Sequence, residues 1–279
     1  MQYPISGEGL GHEGLSMDID AIYNQDCLEG MTNIPDGSID MILCDLPYGV
    51  LNRQNKHARW DNVIPFEPLW AQYKRVIKNN GAIVLFGQGM FTAELMLSNQ
   101  KMWRYNLIWE KDRPTGFLNA NRMPLRSHED ICVYYKELPV YNPQKVPCKP
   151  SERNHPIGKG KHREINQQYG SFNRVQDPII SDDKFPRSVI KIEQEHKCDG
   201  KSHPTQKPVA LCEWLIKTYS NVGDTVLDNC MRSGTTAVAC INTDRHYIGF
   251  ETDPSYYELA LSRCRDAVTK KKQSLEEWI

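Results

Sequence analysis

Apolar runs and polar, turn-forming stretches alternate along the first 110 residues as they do in α/β proteins. Short apolar runs predict strands, and longer amphipathic segments between them predict helices. The run at 82–86 is apolar at every position, which is typical of a strand buried on both faces. The predicted elements are strands at 21–23 and 38–44, a helix at 66–78 that stops at Asn79-Asn80-Gly81, a strand at 82–86, a helix at 90–99, and strands at 105–109 and 130–135.

A different pattern begins at about residue 137. Segment 137–202 is rich in Pro, Lys, Asn, Gln and Gly and has little periodicity, so it predicts either a functional insertion or partial disorder. Regular alternation returns after Pro208. There the pattern predicts a helix at 209–220, a strand at 224–228, a helix at 237–242, a strand at 247–251 and a helix at 255–267. The chain therefore predicts an α/β fold in two parts with an irregular segment between them.

Length and composition narrow the class of protein. A chain of 279 residues is long enough for one large α/β domain with an insertion. Nine cysteines are scattered singly without a Cys-x-x-Cys pair, which favours reduced thiols in a cytoplasmic protein. Cys198, His196 and His203 form the one cluster that suggests a metal, but their spacing fits no familiar zinc pattern, so we expect none.

The sequence favours a protein outside the membrane. No apolar stretch reaches the roughly 18–20 residues of a membrane helix. The N-terminal segment 1–16 is polar and rich in Gly, and it lacks the apolar core of a signal peptide. We interpret that segment as a flexible lead-in and expect no membrane partner.

The net charge of −1 conceals an asymmetry along the chain. Residues 101–207 carry 20 Lys and Arg against 13 Asp and Glu, a net charge of +7, whereas the remainder has a net charge of −8. A basic middle segment inside an acidic frame is typical of a local phosphate-binding face. A solvated loop with excess lysine would give the same totals, so charge alone leaves both interpretations open.

The tetrapeptide Asp45-Leu46-Pro47-Tyr48 directly follows the apolar run 41–44. A carboxylate, a turn-forming proline and an aromatic ring are therefore expected at the carboxyl end of a buried strand, where open α/β sheets bind ligands. Such a set can hold a flat heterocycle with an amino group. The tyrosine ring would stack on the base, and the carboxylate and a backbone carbonyl would accept the two amino hydrogens. Taken alone, the tetrapeptide is equally compatible with an ordinary turn.

Two predicted strands in the second half each end in a carboxylate, Asp228 and Glu251. A turn of mostly small residues, 232–236, follows the first of them. This is the plan of a nucleotide-binding βαβ unit, in which the later acid binds ribose hydroxyls. The G-x-G-x-x-G spacing of dinucleotide sites is absent, which argues against an oxidoreductase and favours a nucleoside without phosphates, such as S-adenosylmethionine. An ordinary helix–sheet crossover is the alternative.

Three blocks together resemble the amino-directed DNA methyltransferases, which modify adenine N6 or cytosine N4. Residues 45–49 are similar to that family's D/N/S-P-P-Y catalytic block, residues 202–208 to its His-Pro-Thr-Gln-Lys-Pro block, and residues 228–236 to its cofactor loop. A catalytic block that precedes the cofactor loop is typical of the beta group. The resemblance implies a Rossmann-like, seven-stranded, mainly parallel methyltransferase sheet. It implies a methyltransferase domain at 17–111 and 203–279 and a target-recognition insertion at 112–202.

The resemblance also implies roles for individual residues, with S-adenosylmethionine as cofactor. Glu251 would bind the ribose and Asp26 the adenine of the cofactor, and Thr205 and Lys207 would lie near its methionine end. The implied catalytic residues are Asp45, Leu46, Pro47 and Tyr48. The implied cofactor-binding residues are Asp26, Cys27, His203, Thr205, Lys207, Asp228, Asn229, Cys230, Arg232, Ser233, Gly234, Thr235, Thr236, Glu251 and Thr252.

Double-stranded DNA is the implied partner, and adenine N6 is favoured because aspartate-first blocks accompany adenine more often than cytosine. Base flipping is implied as well, because the amino nitrogen is inaccessible inside a duplex. A homodimer, a companion restriction endonuclease, and RNA or protein amines as acceptors are left open. The expected location is the cytoplasm of a prokaryotic or phage-infected cell. The candidate DNA contacts are Arg113, Arg122, Arg126, Lys159, Lys161 and Arg163.

Two positions depart from the family pattern. Leu46 replaces a proline, which should be tolerated because the position contributes its carbonyl. Arg232 replaces a loop glycine, and glycine is used where the backbone needs a positive φ or a ligand comes close. The arginine could strain the turn, fill the methionine site or pair with the cofactor's carboxylate. An obstructive arginine would make the chain a catalytically impaired DNA-binding relative.

Overall fold

A computed structural model describes residues 17–49, 61–148, 182–194 and 206–276. The chain divides into a large unit, Met1–Asn142 with Ser188–Ile279, and a small unit, Pro143–Arg187. Ten strands occur among the described residues. They are β1 Ala21–Tyr23, β2 Ile39–Cys44, β3 Ile77–Gly87, β4 Trp103–Thr115, β5 Arg126–Tyr135, β6 Val146–Pro147, β7 Asp183–Lys184, β8 Val189–Lys191, β9 Thr225–Asp228 and β10 His246–Phe250.

Eight of these strands form one sheet in the large unit, in the order β1-β10-β9-β2-β3-β5-β4-β8. Every neighbouring pair is parallel except the two pairs that involve β5. Seven strands therefore share one direction, and β5 alone runs against them. The predicted fold class, a Rossmann-like and mainly parallel sheet, is confirmed, with β8 as an additional strand at the edge next to β4.

Helices cover both faces of this sheet. Their bounds are α1 Cys27–Met31, α2 Phe66–Val76, α3 Met90–Ser98, α4 Val209–Tyr219, α5 Thr235–Asn242 and α6 Pro254–Glu276. Consecutive residues of a strand point to opposite faces, so Leu43 packs in the core beneath α4, α5 and α6, whereas Ile42 packs in the core beneath α1, α2 and α3. Because both faces are buried, the central strands are almost entirely apolar, as the run at 82–86 indicated.

The structure corrects several predicted boundaries. Helix α2 ends at Val76, and the backbone becomes extended at Ile77. The predicted helix stop at 79–81 therefore lies inside β3. Position 81 requires glycine, because a Cβ atom there would lie only 2.7 Å from the carbonyl oxygen of Asp40. The sequence also missed the short helix α1. Helix α6 is longer than predicted and extends to Glu276.

The segment predicted as an insertion, 112–202, contributes to the main sheet. Strand β5 and strand β8 both come from it. The small unit, Pro143–Arg187, contains the antiparallel pair β6 and β7, with Val146 opposite Lys184. The limits of a target-recognition region stay a prediction, and the predicted lead-in at 1–16 lies outside the described residues.

Two classes of feature are absent from the described ranges. No helix there is long and apolar enough to cross a membrane. No group of three or more His, Cys, Asp or Glu side chains is arranged there to hold a metal ion. The cluster of Cys198, His196 and His203 lies outside the described residues.

Candidate active site and cofactor pocket

The tetrapeptide that the sequence singles out lies at the carboxyl end of β2. Asp45 directly follows Cys44, the last residue of that strand, and Leu46 and Pro47 are buried. Gly49 has a φ of +68°, and its N–H donates a 3.0 Å hydrogen bond to the buried carboxylate of Asp61. A side chain at Gly49 would collide with Val63, so the turn after the tetrapeptide depends on glycine.

Three side chains contact the carboxylate of Asp45. The Tyr48 hydroxyl donates to Oδ1 at 2.8 Å, while Lys207 Nζ and Arg232 Nη1 lie 2.8 and 2.9 Å from Oδ2. Burial alone would raise the pKa of Asp45, but the charges of Lys207 and Arg232 outweigh burial and lower it. Asp45 is therefore held as an anion, which can only accept hydrogen bonds.

The same lysine continues into a buried row of alternating charges. Lys207 Nζ lies 3.1 Å from Oε2 of Glu129, and Oε1 of Glu129 forms an ion pair with Lys111. Burial would lower the pKa of Lys207, but the charges of Asp45 and Glu129 raise it overall. We call Lys111, Glu129, Lys207, Asp45 and Arg232 the charge row. Its two ends are cations, so it holds one more positive than negative charge.

Sequence reasoning missed two members of the charge row, Lys111 and Glu129. Each lies in a strand at the carboxyl edge of the sheet, beyond the apolar stretch of that strand. The signal in the sequence was a charged residue close to an apolar run: Lys111 lies two positions after Trp109, and Glu129 lies two positions before Ile131. Such residues are usually solvated. The pairing of β4 with β5 is what brings them together.

The cofactor loop lies between β9 and α5. Asp228 at the end of β9 accepts the Cys230 N–H at 3.0 Å and the Thr236 hydroxyl at 2.6 Å, and burial raises the pKa of Asp228 to about 6. Gly234 has a φ of +78° and directly precedes α5, and a Cβ atom there would lie 2.9 Å from Ala260 Cβ in α6. The absence of a side chain at Gly234 therefore allows the cofactor loop to pack closely against α6.

Helix α6 also braces this loop through Arg263, a residue that no sequence pattern had marked. Its Nη1 donates to the Ser233 carbonyl at 2.6 Å and reaches the Thr235 hydroxyl at 3.2 Å. The Ser233 hydroxyl in turn donates to the Gln206 side chain at 3.0 Å. Ser233 and Thr235 are thus fixed within the loop by neighbouring side chains.

A cavity of about 370 Å³, which we call the larger cavity, lies between the ends of β1, β9 and β10. The Glu251 carboxylate lines it and accepts the N–H groups of Arg232 at 2.7 Å and Asp253 at 2.8 Å, and burial raises the pKa of Glu251. Asp26 lines it as well and caps α1 by accepting the Leu28 N–H at 2.8 Å. The other predicted cofactor residues that line this cavity are Cys27, Asn229, Cys230, Arg232 and Thr252.

Residues that were not predicted complete the same cavity. The segment 62–65 supplies one wall, and Phe250 and Tyr256 supply apolar surface elsewhere. Asn229 is held by a hydrogen bond from the buried Tyr73 hydroxyl. The combination of two carboxylates with aromatic and aliphatic walls fits a nucleoside, which has a flat apolar base and a hydroxylated sugar.

The smaller cavity, about 30 Å³, lies beneath the cofactor loop and reaches Asp45. Cys230 and Arg232 line both cavities, so the arginine lies where the two adjoin. Arg232 has a φ of +46°, which confirms that a left-handed backbone is needed where the family has glycine. The predicted residues that line the smaller cavity are Asp45, Lys207, Asp228, Cys230, Arg232, Ser233, Thr235 and Thr236.

The remaining predicted residues lie elsewhere or outside the described ranges. Arg113 near the end of β4, Arg122 between the two strands and Arg126 at the start of β5 are all exposed. His203 and Thr205 of the cofactor set, and Lys159, Lys161 and Arg163 of the DNA-contact set, lie outside the described residues.

Comparisons with known proteins agree with this geometry. The sequence model of a family described as DNA methylase matches residues 39–262. The chain is 27% identical to the Type II methyltransferase M2.MboI of Moraxella bovis, over 92% of each chain. It is also 27% identical to the Type II methyltransferase M.HinfI of Haemophilus influenzae, over 91% of this chain and 70% of that one.

Solved structures share the fold. The PvuII DNA methyltransferase, described as cytosine-N4-specific, has a TM-score of 0.61 at 15% identity, covering 89% of this chain and 87% of that one. The M1.HpyAVI–SAM complex has a TM-score of 0.56 at 24% identity, covering 87% and 97%. The family match over most of the sequence shows that the chain belongs to the DNA methylase family, the amino-directed DNA methyltransferases for which S-adenosylmethionine is the methyl donor.

Proposed function

We propose that this protein methylates the N6 amino group of adenine in double-stranded DNA after flipping the base out of the helix. The observation that carries the proposal is the ionised Asp45 at the head of the 45–48 block, next to the cofactor loop. Its aspartate-first block supports adenine, because serine-first blocks accompany cytosine N4 more often in the family it resembles.

Asp45 and the backbone of Leu46 supply the two hydrogen-bond acceptors that the chemistry needs. The lone pair of an adenine amine is delocalised into the ring, which makes the nitrogen a weak nucleophile. If Asp45 and the Leu46 carbonyl each accept one amino hydrogen, the nitrogen is favoured in a tetrahedral form with a localised lone pair. The carboxylate of Asp45 can afterwards accept the proton that the methylated amine releases.

Tyr48 is the proposed stacking partner of the flipped base. One face of its ring packs on Phe91, with ring centroids 4.8 Å apart, and its hydroxyl is anchored to Asp45. A fixed aromatic ring of this kind can replace the stacking that an extruded base loses. Orientation by Tyr48 and Asp45 would contribute much of the rate, since a positioned nucleophile avoids the entropy loss of a bimolecular encounter.

The residues around the larger cavity fit S-adenosylmethionine, which supplies an electrophilic methyl group when it is bound. Glu251 offers carboxylate oxygens for the ribose hydroxyls, and its two backbone partners leave further lone pairs free to accept. Phe250 and the segment 62–65 offer apolar surface for the adenine. The smaller cavity lies beyond Arg232, toward Asp45.

The direct test is transfer of labelled methyl groups from S-adenosylmethionine to unmethylated plasmid DNA, followed by mass spectrometry of the nucleosides. We expect N6-methyladenine from the wild type and no product from Asp45→Ala. Parallel incubations with RNA and with a basic protein test the other acceptor classes. N4-methylcytosine as the product would overturn the choice of base, and absence of transfer to DNA would favour the impaired relative that Arg232 suggested.

A further inference from the structure

The connection between β4 and β5 is a basic arm with an apolar tip. We define the β4–β5 arm as residues 112–128, which include the end of β4, a 3-10 turn at Phe117–Asn119 and the start of β5. Thr115 pairs with Arg126, so the arm is a hairpin. Every residue from 117 to 128 is exposed.

The arm leaves the sheet at the edge where the active site lies. Strand β3 ends at Gly87, which pairs with Asp130, whereas β5 begins at Arg126. At about 3.3 Å per residue, the hairpin therefore extends roughly 13 Å past the end of β3 before its tip. Its root is tied to the site, because Glu129 contacts Lys207, which contacts Asp45.

Two further contacts fix the direction of the arm at its base. Arg126 Nη1 donates to the Gln88 side chain at 3.2 Å, and Gln88 Nε2 donates to the His128 carbonyl at 3.3 Å. Gln88 directly follows β3, the neighbour of the strand that carries Asp45. The arm is thus a braced hairpin beside the position that a flipped base would occupy.

Large apolar side chains lie at the tip without cover from the described part of the chain. Phe117 is 76% exposed and Leu118 is 85% exposed, and Met123 is exposed as well. Side chains of this size are unfavourable in water unless a partner covers them. Single exposed apolar residues are common, but two adjacent ones at the tip of a braced hairpin point to a partner.

The charges of the arm identify the class of that partner. Arg113, Arg122 and Arg126 are exposed on it, and its single acid, Asp112, is already engaged by Arg113 at 3.2 Å and by the Gln194 N–H at 2.8 Å. Arginines around an apolar tip are complementary to a nucleic-acid duplex, where phosphates flank stacked bases. A duplex is also the polymer that must open if a base is to reach Asp45.

We propose that Phe117 and Leu118 insert into the base stack at the position that the extruded base leaves. This inference rests on the proposed base-flipping function. Flipping a base breaks its stacking, and an apolar wedge compensates by covering the exposed faces of the neighbouring bases. The arginines hold the arm on the phosphates, and the wedge stabilises the opened duplex.

The test compares the double variant Phe117→Ala/Leu118→Ala on two duplexes. The methylated site is first mapped with the wild type by sequencing that detects modified bases. One duplex then carries that site with the target base paired, and the other carries it with the target opposite an abasic position. The variant should lose about tenfold or more in kcat/KM on the paired duplex but under about threefold on the other, where no base pair has to be broken and extrusion costs less free energy.

Three matched variants separate the wedge from other roles. Leu138 is 81% exposed and follows β5, and Val222 is 70% exposed and precedes β9, so both lie at the opposite edge of the sheet. Leu138→Ala and Val222→Ala should leave both rates unchanged. Arg122→Ala should weaken binding to both duplexes equally, with a smaller dependence on salt, as expected for a phosphate contact.

The outcomes distinguish this inference from the proposed function. Equal losses on the two duplexes, or no loss on either, would overturn the wedge while leaving the methyltransferase assignment intact. Absence of methylated DNA from the wild type would instead overturn the proposed function itself. Thermal melting of each variant checks folding, which these exposed substitutions should not disturb.

Discussion

The two ends of the site hold their acids in different ways. On the cofactor side, Glu251 accepts two backbone N–H groups, and Asp228 accepts one backbone N–H and one hydroxyl. On the catalytic side, the Asp45 carboxylate contacts two cations and a tyrosine hydroxyl. Burial raises the pKa of the first two acids, whereas the neighbouring charges lower the pKa of Asp45.

The cofactor-side acids are held by hydrogen bonds from neutral groups, whereas Asp45 is held by ion pairs. Backbone N–H groups and one hydroxyl hold Glu251 and Asp228 in place, and burial outweighs the neighbouring groups that lower the pKa of each acid. Asp45 has its charge compensated, and it stays an anion because side chains from distant segments surround it. Substitutions on the cofactor side should therefore change how stability depends on pH, whereas those in the charge row should reduce catalysis.

The largest expected effect belongs to Asp45. Asp45→Ala removes the proposed hydrogen-bond acceptor, so methyl transfer should fall below detection. It also leaves Lys207 and Arg232 without their shared partner, which should cost on the order of 3–5 kcal/mol in the free energy of unfolding. Transfer of labelled methyl groups and urea denaturation measure the two effects.

Asp45→Asn is the matched control, because it keeps the size and one acceptor oxygen while removing the charge. It should keep detectable activity and lose less stability than the alanine variant. Wild-type rates from Asp45→Ala would eliminate the proposed mechanism. We expect cofactor affinity to change little in either variant, since Asp45 lies outside the larger cavity.

Asp228 should give the largest effect on the cofactor side. Its folded-state pKa of about 6 lies above its ordinary value of 3.8, so the folded protein binds a proton more tightly than the unfolded chain does. Stability should therefore fall as the pH rises from about 4 to about 6. The change is on the order of 3 kcal/mol at most, from 1.36 kcal/mol per pKa unit.

Asp228→Asn isolates that contribution, because an amide does not titrate. The free energy of unfolding of the wild type relative to this variant should rise as the pH is lowered from 7 to 4. Urea titrations at several pH values measure it. Parallel curves for the two proteins would show that Asp228 does not titrate in this range, and the contrast with Asp45 would lose its basis.

Glu129 should have a smaller effect, confined to the catalytic side. We interpret it as a positioning residue that holds Lys207 toward Asp45. Glu129→Gln removes the charge between Lys111 and Lys207, so Lys207 should shift and kcat should fall about 10- to 100-fold, by analogy with second-layer partners in metal sites. KM for S-adenosylmethionine should change little.

The pH profile of kcat distinguishes positioning from a general loss of structure. Without Glu129 the pKa of Lys207 should fall, since that carboxylate helps to raise it. Loss of activity at high pH should then begin at a lower pH than in the wild type. Glu213→Gln is the control and should leave the profile unchanged, because Glu213 of α4 is half-buried and pairs with Lys217 and Asn242, outside the charge row.

Local signals explain which parts of this fold and site could be predicted from the sequence. The strand at 21–23 and the carboxylates that end β9 and β10 follow from apolar runs and turn residues that are adjacent in the chain. The positive φ of Arg232 was anticipated for the same reason, because the position belongs to a turn where glycine is expected.

Contacts that depend on strand pairing could not be predicted. The charge row requires β5 to lie between β3 and β4, which places Glu129 near Lys207, 78 positions along the chain. From the sequence alone, a lysine such as Lys111 is expected to be solvated, because the strand pairing that buries it is not known. Helix α1 was missed because its five residues are too few to show a helical period, and Asp26, assigned only to the cofactor, also caps it.

The smallest expected effect comes from substituting Arg232, the residue at which the cofactor side and the catalytic side meet. Its side chain reaches Asp45 and lines both cavities, and its backbone is left-handed. Arg232→Gly suits that backbone and clears the junction, so S-adenosylmethionine should bind about 5- to 30-fold more tightly. That range corresponds to roughly 1–2 kcal/mol, the contribution of one hydrogen-bonded ion pair that no longer has to break.

Calorimetric titration measures this change, and Arg232→Met separates its causes. Methionine removes the charge but keeps much of the bulk and the unfavourable φ, so it should recover less of the gain than glycine does. Weaker binding by Arg232→Gly would mean that the guanidinium contacts the cofactor instead of obstructing it. In that case Asp45 and the cofactor's carboxylate would compete for the same arginine, and the two ends of the site would be coupled through one side chain.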